Sequence, residues 1–179
     1  TYYGLRAVLA SGNNEVDVHS NDIFGDGSSG SCTSYAAAVE AAPVAPTAPR
    51  GLFRNDIFQA GTLCATNYAF AENATVADPR VVESDDFYVP SGSNLYRDEA
   101  STDLGTAALI DALDDPLAGI SASGNIAANP LFVSFSANLH LQSGSPCRNA
   151  GTSAGAPTYD FEGGVRPQES VHDIGADEY

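Results

Sequence analysis

The chain has 179 residues and a mass of 18.4 kDa, the length of one ordinary domain. Its 23 acidic residues outnumber 7 basic ones, all of them Arg, and the formal net charge is −16. This charge repels phosphate backbones and so excludes nucleic acid as a partner, while the lack of Lys excludes Schiff-base and P-loop chemistry. No apolar run is long enough to insert into a membrane.

A short motif of polar residues followed by apolar ones recurs along the chain. Its copies are Ser20-Asn21-Asp22-Ile23-Phe24, Arg54-Asn55-Asp56-Ile57-Phe58, Ser84-Asp85-Asp86-Phe87-Tyr88 and Gly124-Asn125-Ile126. Aligned on the acid or amide before the apolar residue, they lie at Asp22, Asp56, Asp86 and Asn125, in steps of about 30–40 residues. Asn and Asp tolerate the left-handed backbone of a sharp turn, so each copy is typical of a turn that leads into a short strand.

The repeat predicts an all-β fold: a right-handed parallel β-helix, or solenoid, of about five coils with short helical insertions and a C-terminal cap. The alternative is that the copies are unrelated hairpin turns of a β-sandwich. We expect a single domain with the coils in residues 1–145, insertions at about 31–52 and 88–120, and the cap in residues 146–179. An Ala-rich insertion over 35–42 and a helix from Asp103 to about Leu113 would supply the helical parts.

Three cysteines are present, at Cys32, Cys64 and Cys147. Cys32 and Cys64 each follow one copy of the repeat, so stacking of the copies would bring them together, and we predict a Cys32–Cys64 disulfide. Cys147 is then expected to be a buried free thiol. A disulfide indicates an oxidising compartment outside the cytoplasm.

The acidic repeat positions are the first candidates for chemistry. Asp22, Asp56 and Asp86 would form a row of carboxylates along one face of the stacked coils, where they could bind Ca²⁺. Asp56 and Asp86 are also candidates for the paired acids of glycoside hydrolysis. The simplest alternative is a solvated row of turn residues with neither role.

The C-terminal third carries the most specific motifs. They are Asn129-Pro130-Leu131-Phe132, His140-Leu141, Ser145-Pro146-Cys147-Arg148-Asn149-Ala150-Gly151, Asp160-Phe161-Glu162-Gly163, Arg166-Pro167 and Asp173-Ile174-Gly175-Ala176-Asp177-Glu178. This run resembles the C-terminal end of the choice-of-anchor Q domain proteins, bacterial exported β-helix proteins of pectate-lyase-like architecture. Asn149, where the family usually has Asp, and Cys147, in place of a small residue, depart from the pattern.

The C-terminal motifs are interpreted as the end cap that an open solenoid needs. We expect Arg166 to bridge Asp160 and Asp173 as a bidentate fork, with Gly175 allowing a tight turn. Asp160 and Asp173 are also candidates for a structural cation.

The resemblance implies an exported protein, extracellular or attached to the cell surface. The start at Thr1 without Met indicates a mature or cut chain, a piece of something longer. The first functional hypothesis is a structural or interaction module, not an enzyme. Its open N-terminal coil would pair with an upstream part of the helix or with copies of itself. The alternative is a polysaccharide-active enzyme or a carbohydrate-binding module, with glycans stacking on Tyr68, Phe70, Phe87, Tyr88 and Tyr96.

Overall fold

A computed structural model gives the structure of residues 1–9, 16–26, 29–41, 51–90, 92, 94–113 and 120–179. Its strands fall into four sheets. The first sheet has the order β1 (Tyr2–Leu9), β4 (Gly30–Ala41), β7 (Cys64–Glu72), β10 (Tyr96–Asp98) and β11 (Thr102–Leu104). The second has the order β2 (Val16–His19), β5 (Gly51–Arg54), β8 (Pro79–Glu83) and β12 (Ser121–Ser123). The third contains β3 (Asp22–Phe24), β6 (Ile57–Gln59) and β9 (Asp86–Tyr88), and the fourth pairs β13 (Phe132–Ser134) with β14 (Asn138–Leu141).

The chain visits the first three sheets in turn. One pass runs through β2, β3 and β4, the next through β5, β6 and β7, and a third through β8, β9 and β10. Strands of successive passes pair in parallel, because the long return between them brings the chain back in the same direction. All three passes therefore contribute one strand to each of the three sheets.

The prediction of a single right-handed parallel β-helix of about five coils is wrong. The strands form several sheets of mixed and parallel order, because β10 pairs antiparallel with β11 and β13 pairs antiparallel with β14. Residues 99–101 and 135–137 join these pairs, and connections this short permit only a reversal of direction. The fold is mainly β.

The helical insertions also differ from the prediction. The Ala-rich segment is part of β4, up to Ala41, because it pairs along both sides with β1 and β7; Ala42 lies outside the described residues. Asp103 lies in β11, and the helix α1 covers only Ala107–Ile110. Its N-cap is Thr106, whose hydroxyl accepts a hydrogen bond from the Leu109 N–H at 3.2 Å.

Aromatic side chains fill the space between the three sheets. Phe53, Phe58, Phe70, Phe87 and Tyr96 are at most 1% exposed. Neighbouring rings stack or meet edge to face, with centroids 4.9 Å apart for Phe53 and Phe70 and 5.0 Å apart for Phe70 and Tyr96. In the part of the chain that the structure describes, no helix has the length and apolar character needed to span a membrane.

A second, smaller core lies outside the third sheet. It contains Ile57, Phe132, Leu141, Cys147 and Ile174. Through it, the segment 146–179 packs along the side of the passes: the N–H of Gly175 donates to the Asn55 carbonyl at 2.7 Å, and the N–H of Ala176 donates to Asp22 Oδ1 at 3.2 Å. This segment thus contacts at least two successive passes.

Candidate functional site

Every copy of the repeat makes the same turn between the second and third sheets. Ser20, Asn55 and Ser84 have φ angles of 55°, 56° and 56°, and Gly124 has a φ of 68°. This left-handed residue is followed by a polar residue, which gives a row of four that we call the turn row: Asn21, Asp56, Asp85 and Asn125.

The turn row is linked by side-chain to backbone hydrogen bonds. The Asn21 N–H donates to Asp56 Oδ1 at 2.9 Å, and the Asp56 N–H donates to Asp85 Oδ1 at 2.8 Å. The Asp85 N–H then donates to Asn125 Oδ1 at 3.0 Å. At the end of the row, Asp111 Oδ1 accepts from the Asn125 N–H at 3.2 Å and from its amide Nδ2 at 2.7 Å. The side chains of Asp56, Asp85 and Asn125 thus each accept a hydrogen bond from the backbone of the previous pass. Asp111, just after α1, ends the row on the other side.

The four aligned sequence positions occupy two different rows. Asp56 and Asn125 lie in the turn row, whereas Asp22 and Asp86 lie one residue later, at the starts of β3 and β9. The strand register pairs both of these aspartates with Ile57. An apolar side chain therefore stands between Asp22 and Asp86, and the structure does not form one continuous row of carboxylates.

Asp56 and Asp86 are both 0% exposed. Asp56 Oδ1 is held by the backbone and side chain of Asn21, and Asp86 accepts from the Ala128 N–H at 3.0 Å and from Cys147 Sγ at 3.4 Å. Burial raises the pKa of each carboxyl to about 7. A polysaccharide cannot reach carboxyls enclosed in this way, and the observed contacts connect parts of the fold.

Asp22 is only partly buried, but its carboxyl also connects parts of the fold. Its Oδ1 accepts from Ala176, while its buried Oδ2 has no hydrogen-bond partner among the described residues. Burial raises the pKa of the Asp22 carboxyl to about 7. Asp22 therefore joins the first pass to the C-terminal segment.

Arg166 makes different contacts from those expected. It is 5% exposed and its Nε donates to Glu178 Oε1 at 2.7 Å, while its terminal nitrogens donate to the carbonyls of Asp173 and Gly175. The fork to the carboxylates of Asp160 and Asp173 is not formed. Glu178 is buried beside Arg166, and a buried guanidinium needs such a full set of acceptors.

The two aspartates of that expected fork accept hydrogen bonds from backbone N–H groups instead. Asp160 Oδ1 accepts from the backbones of Glu162 and Gly164. The carboxylate of Asp173 accepts from the N–H of Asn149 at 2.7 Å and that of Tyr179 at 2.8 Å. Burial raises the pKa of Asp173.

The backbone of Gly175 explains why glycine stands there. Its φ is 107°, and a Cβ would lie 2.7 Å from Asp22 Oδ1 and 2.7 Å from Ile57 Cδ1. The C-terminal segment therefore approaches the third sheet more closely than any side chain would permit.

The predicted Cys32–Cys64 disulfide is present, with the two Cα atoms 4.8 Å apart. It joins the start of β4 to the start of β7, neighbours in the first sheet. Cys147 is a buried free thiol, and burial beside Asp86 raises its pKa. A thiol that remains protonated is a poor nucleophile.

The aromatic residues that were considered for sugar stacking are mostly enclosed. Tyr68, Phe70, Phe87 and Tyr96 are at most 2% exposed, and Tyr88 is half-buried. The ring of Tyr68 stacks on Tyr35 at 5.4 Å, and that of Tyr96 stacks on Phe70. Their faces contact other rings, which favours a packing role.

One carboxylate group was not anticipated from the sequence. Among the described residues, the set of three that one ion could contact is Glu72, Asp78 and Asp98. They come from the end of β7, the residue after a 3-10 turn at Thr75–Ala77, and the end of β10. No regular spacing links them, although Glu72 ends an apolar run, which is an unusual place for an acid.

The other distinctive feature is the end of the sheets formed by the first strands. β1, β2 and β3 each pair with one neighbour among the described strands, so three edges lie at the same end of the fold. The core is partly exposed to solvent there, since Leu5, Val18 and Ile23 are only partly buried. A shallow depression of about 340 Å³ opens between them. We call this surface the open end.

Comparison with protein-family models, curated proteins and solved structures found no match to this chain.

Proposed function

We propose that the chain is an extracellular or cell-surface structural and interaction module, which associates through the open end by β-strand pairing with a second copy of itself. The observation that carries this proposal is the coincidence of three strand edges with a partly exposed core at one end. Edge strands offer rows of backbone donors and acceptors to another chain. The disulfide supports an oxidising location.

The two ends of the fold differ in a way that favours pairing of like ends. At the far end of the first sheet, the antiparallel β11 stands where a further parallel strand would add. There, α1 buries Ile110 against the core and Asp111 ends the turn row. At the open end the row begins with Asn21, an exposed residue. Two copies joined at their open ends would form a closed, two-fold dimer, the commonest symmetry of soluble oligomers.

Charge also permits two open ends to meet. Strands β1, β2 and β3 together contain one Arg, Arg6, and two acids, Asp17 and Asp22, which sum to −1, against −16 for the whole chain. Most of the acidity therefore lies elsewhere. These strands therefore bring little charge repulsion to a contact between two open ends.

The test is sedimentation equilibrium of the native chain and of two variants at Asp17. The Ser20 N–H bonds the Arg54 carbonyl across the β2–β5 pair, and N–H groups alternate in direction along a strand, so the N–H of Asp17 faces the open side. Asp17→Pro removes that donor, and Asp17→Ala is the matched control that loses the same side chain but keeps the N–H. Proline is tolerated at such edge positions.

We expect the native chain and Asp17→Ala to dimerise, to twice the 18.4 kDa mass of the monomer. Asp17→Pro should weaken dimerisation about tenfold through one lost hydrogen bond and the ring that obstructs the edge. A monomer at every concentration up to about 1 mM, the range of weak but specific contacts, would overturn the proposal. Equal dimerisation of the Pro and Ala variants would also count against pairing through β2.

A further inference from the structure

The group of Glu72, Asp78 and Asp98 has the geometry of a cation site. One carboxylate oxygen of each residue lies within 4.8 Å of those of the other two. Calcium binds oxygens at about 2.3–2.6 Å, so two oxygens on opposite sides of one ion are about 4.8 Å apart. The three side chains can therefore reach a single ion without moving far.

Glu72 gives an independent indication of a ligand. Its side chain is 2% exposed, and its Oε1 accepts a hydrogen bond from the Tyr96 hydroxyl at 3.0 Å. Its other oxygen, Oε2, is buried and has no hydrogen-bond partner among the described residues. A buried carboxylate oxygen without a donor is costly, and here it lies beside two further carboxylates. A proton or a cation at this position would remove that cost.

The nearby guanidinium is already engaged. Arg97 donates to the Tyr68 hydroxyl at 2.7 Å and to the Ala100 carbonyl at 2.7 Å. The three carboxylates lie close together, and those of Glu72 and Asp78 are buried. A proton or a metal ion can relieve the repulsion among three such groups.

We propose that Glu72, Asp78 and Asp98 bind one Ca²⁺ ion, which joins the ends of β7 and β10 to the segment between them. The ligands are all oxygens, as a hard cation requires. Asp98 is only partly buried, which leaves room for water to complete six to eight ligands and for the ion to enter. Magnesium is less suitable, because it demands near-ideal octahedral geometry and gives up its water molecules reluctantly.

Terbium luminescence is the most direct test, because Tb³⁺ substitutes for Ca²⁺ and is excited through nearby tyrosine. The chain contains no Trp, and the Tyr96 hydroxyl contacts a proposed ligand, so excitation of tyrosine reports on this site. We expect saturable emission with one ion per chain, displaced by Ca²⁺. Calcium at about 100 times its Kd should also raise the Tm by about 5–10 °C relative to chelator.

Two variants locate the ion. Asp98→Asn removes a partly exposed ligand, and Glu72→Gln removes the buried one while keeping an acceptor for Tyr96. Each should weaken ion binding at least tenfold. Glu99→Gln is the matched control, because it removes the same charge from the exposed neighbour of Asp98 without removing a ligand, and it should weaken binding far less than either variant.

Failure of the native chain to bind Tb³⁺ or Ca²⁺ would overturn the proposal and leave a proton in the cluster. Binding that survives in both Asp98→Asn and Glu72→Gln would overturn it too, since the ion would then lie elsewhere. If Glu72→Gln does not fold, Asp98→Asn and the native chain still decide the outcome.

Discussion

The buried carboxyl of Asp86 predicts an unusual dependence of the free energy of unfolding on pH. It is fully buried between the third sheet and Cys147, and the pKa of its carboxyl is raised to about 7 in the folded state, mainly by burial. In the unfolded chain the pKa returns to about 3.9. The folded state therefore binds a proton that the unfolded state has released, over the range between these two values.

The sign follows from this difference. The contribution of Asp86 to stability is fully present below the unfolded pKa and is lost as the pH rises through about 7. For a single carboxyl with these two values, the free energy of unfolding falls by about 2–3 kcal/mol between pH 5 and pH 8. The pKa values of Asp22 and Asp56 are also raised to about 7, so the native chain should lose stability steeply over this range.

The variant Asp86→Asn isolates one of these groups. The amide keeps an acceptor for the Ala128 N–H but cannot ionise. Urea unfolding in chelator at pH 5, 6, 7 and 8 should give a loss of stability that is smaller than that of the native chain by about 2–3 kcal/mol. The chelator keeps calcium binding at the Glu72 group out of the comparison.

Glu99→Gln is the control, since it removes one carboxyl from an exposed position just after β10 rather than from the buried core. Its pH profile should coincide with that of the native chain. If Asp86→Asn also follows the native profile from pH 5 to pH 8, Asp86 does not titrate in the folded protein and the reasoning from burial is refuted.

Three further predictions concern stability. Gly175→Ala should lower the free energy of unfolding by about 2–4 kcal/mol, because the new side chain is strained at positive φ and clashes with the third sheet. An unchanged midpoint in urea titrations would contradict this and show that the C-terminal segment can move away. Reduction of the Cys32–Cys64 disulfide should lower the free energy of unfolding by about 3–4 kcal/mol, because the bridge spans 32 residues. Equal urea midpoints with and without reductant would contradict this. Arg166→Ala should lower the free energy of unfolding by about 3–5 kcal/mol, because Glu178 would be left as an unpaired buried charge; a loss below about 1 kcal/mol would mean that water reaches Glu178.

The turn chemistry of the repeat could be predicted from the sequence, but not its register. The first two copies share Asn-Asp-Ile-Phe, and identity therefore aligns Asn21 with Asn55. The structure pairs Asn21 with Asp56, one residue later, because Ser20 occupies the left-handed position in the first copy while Asn55 occupies it in the second. Ser and Asn both tolerate this position, so residue type does not reveal the shift.

Local composition predicted the wrong secondary structure where strand pairing determines it. The Ala-rich segment has helix-forming residues, yet strands on both sides hold it in β4, and tertiary pairing outweighs a weak intrinsic preference. The disulfide was predictable because stacking of the repeats brings Cys32 and Cys64 together. The Glu72 group was not, because three separate segments supply its members and only the fold places them side by side.

Hydrogen exchange at two protein concentrations tests the central claim, the pairing of open ends, most directly. In concentrated solution, we predict added protection for amides in residues 2–9 and 16–24, which contain the three edges, compared with dilute solution. Residues 102–110, which include β11 and α1 at the opposite end, should exchange equally in both. Equal exchange of the edge strands at both concentrations, or added protection confined to residues 102–110, would contradict the account.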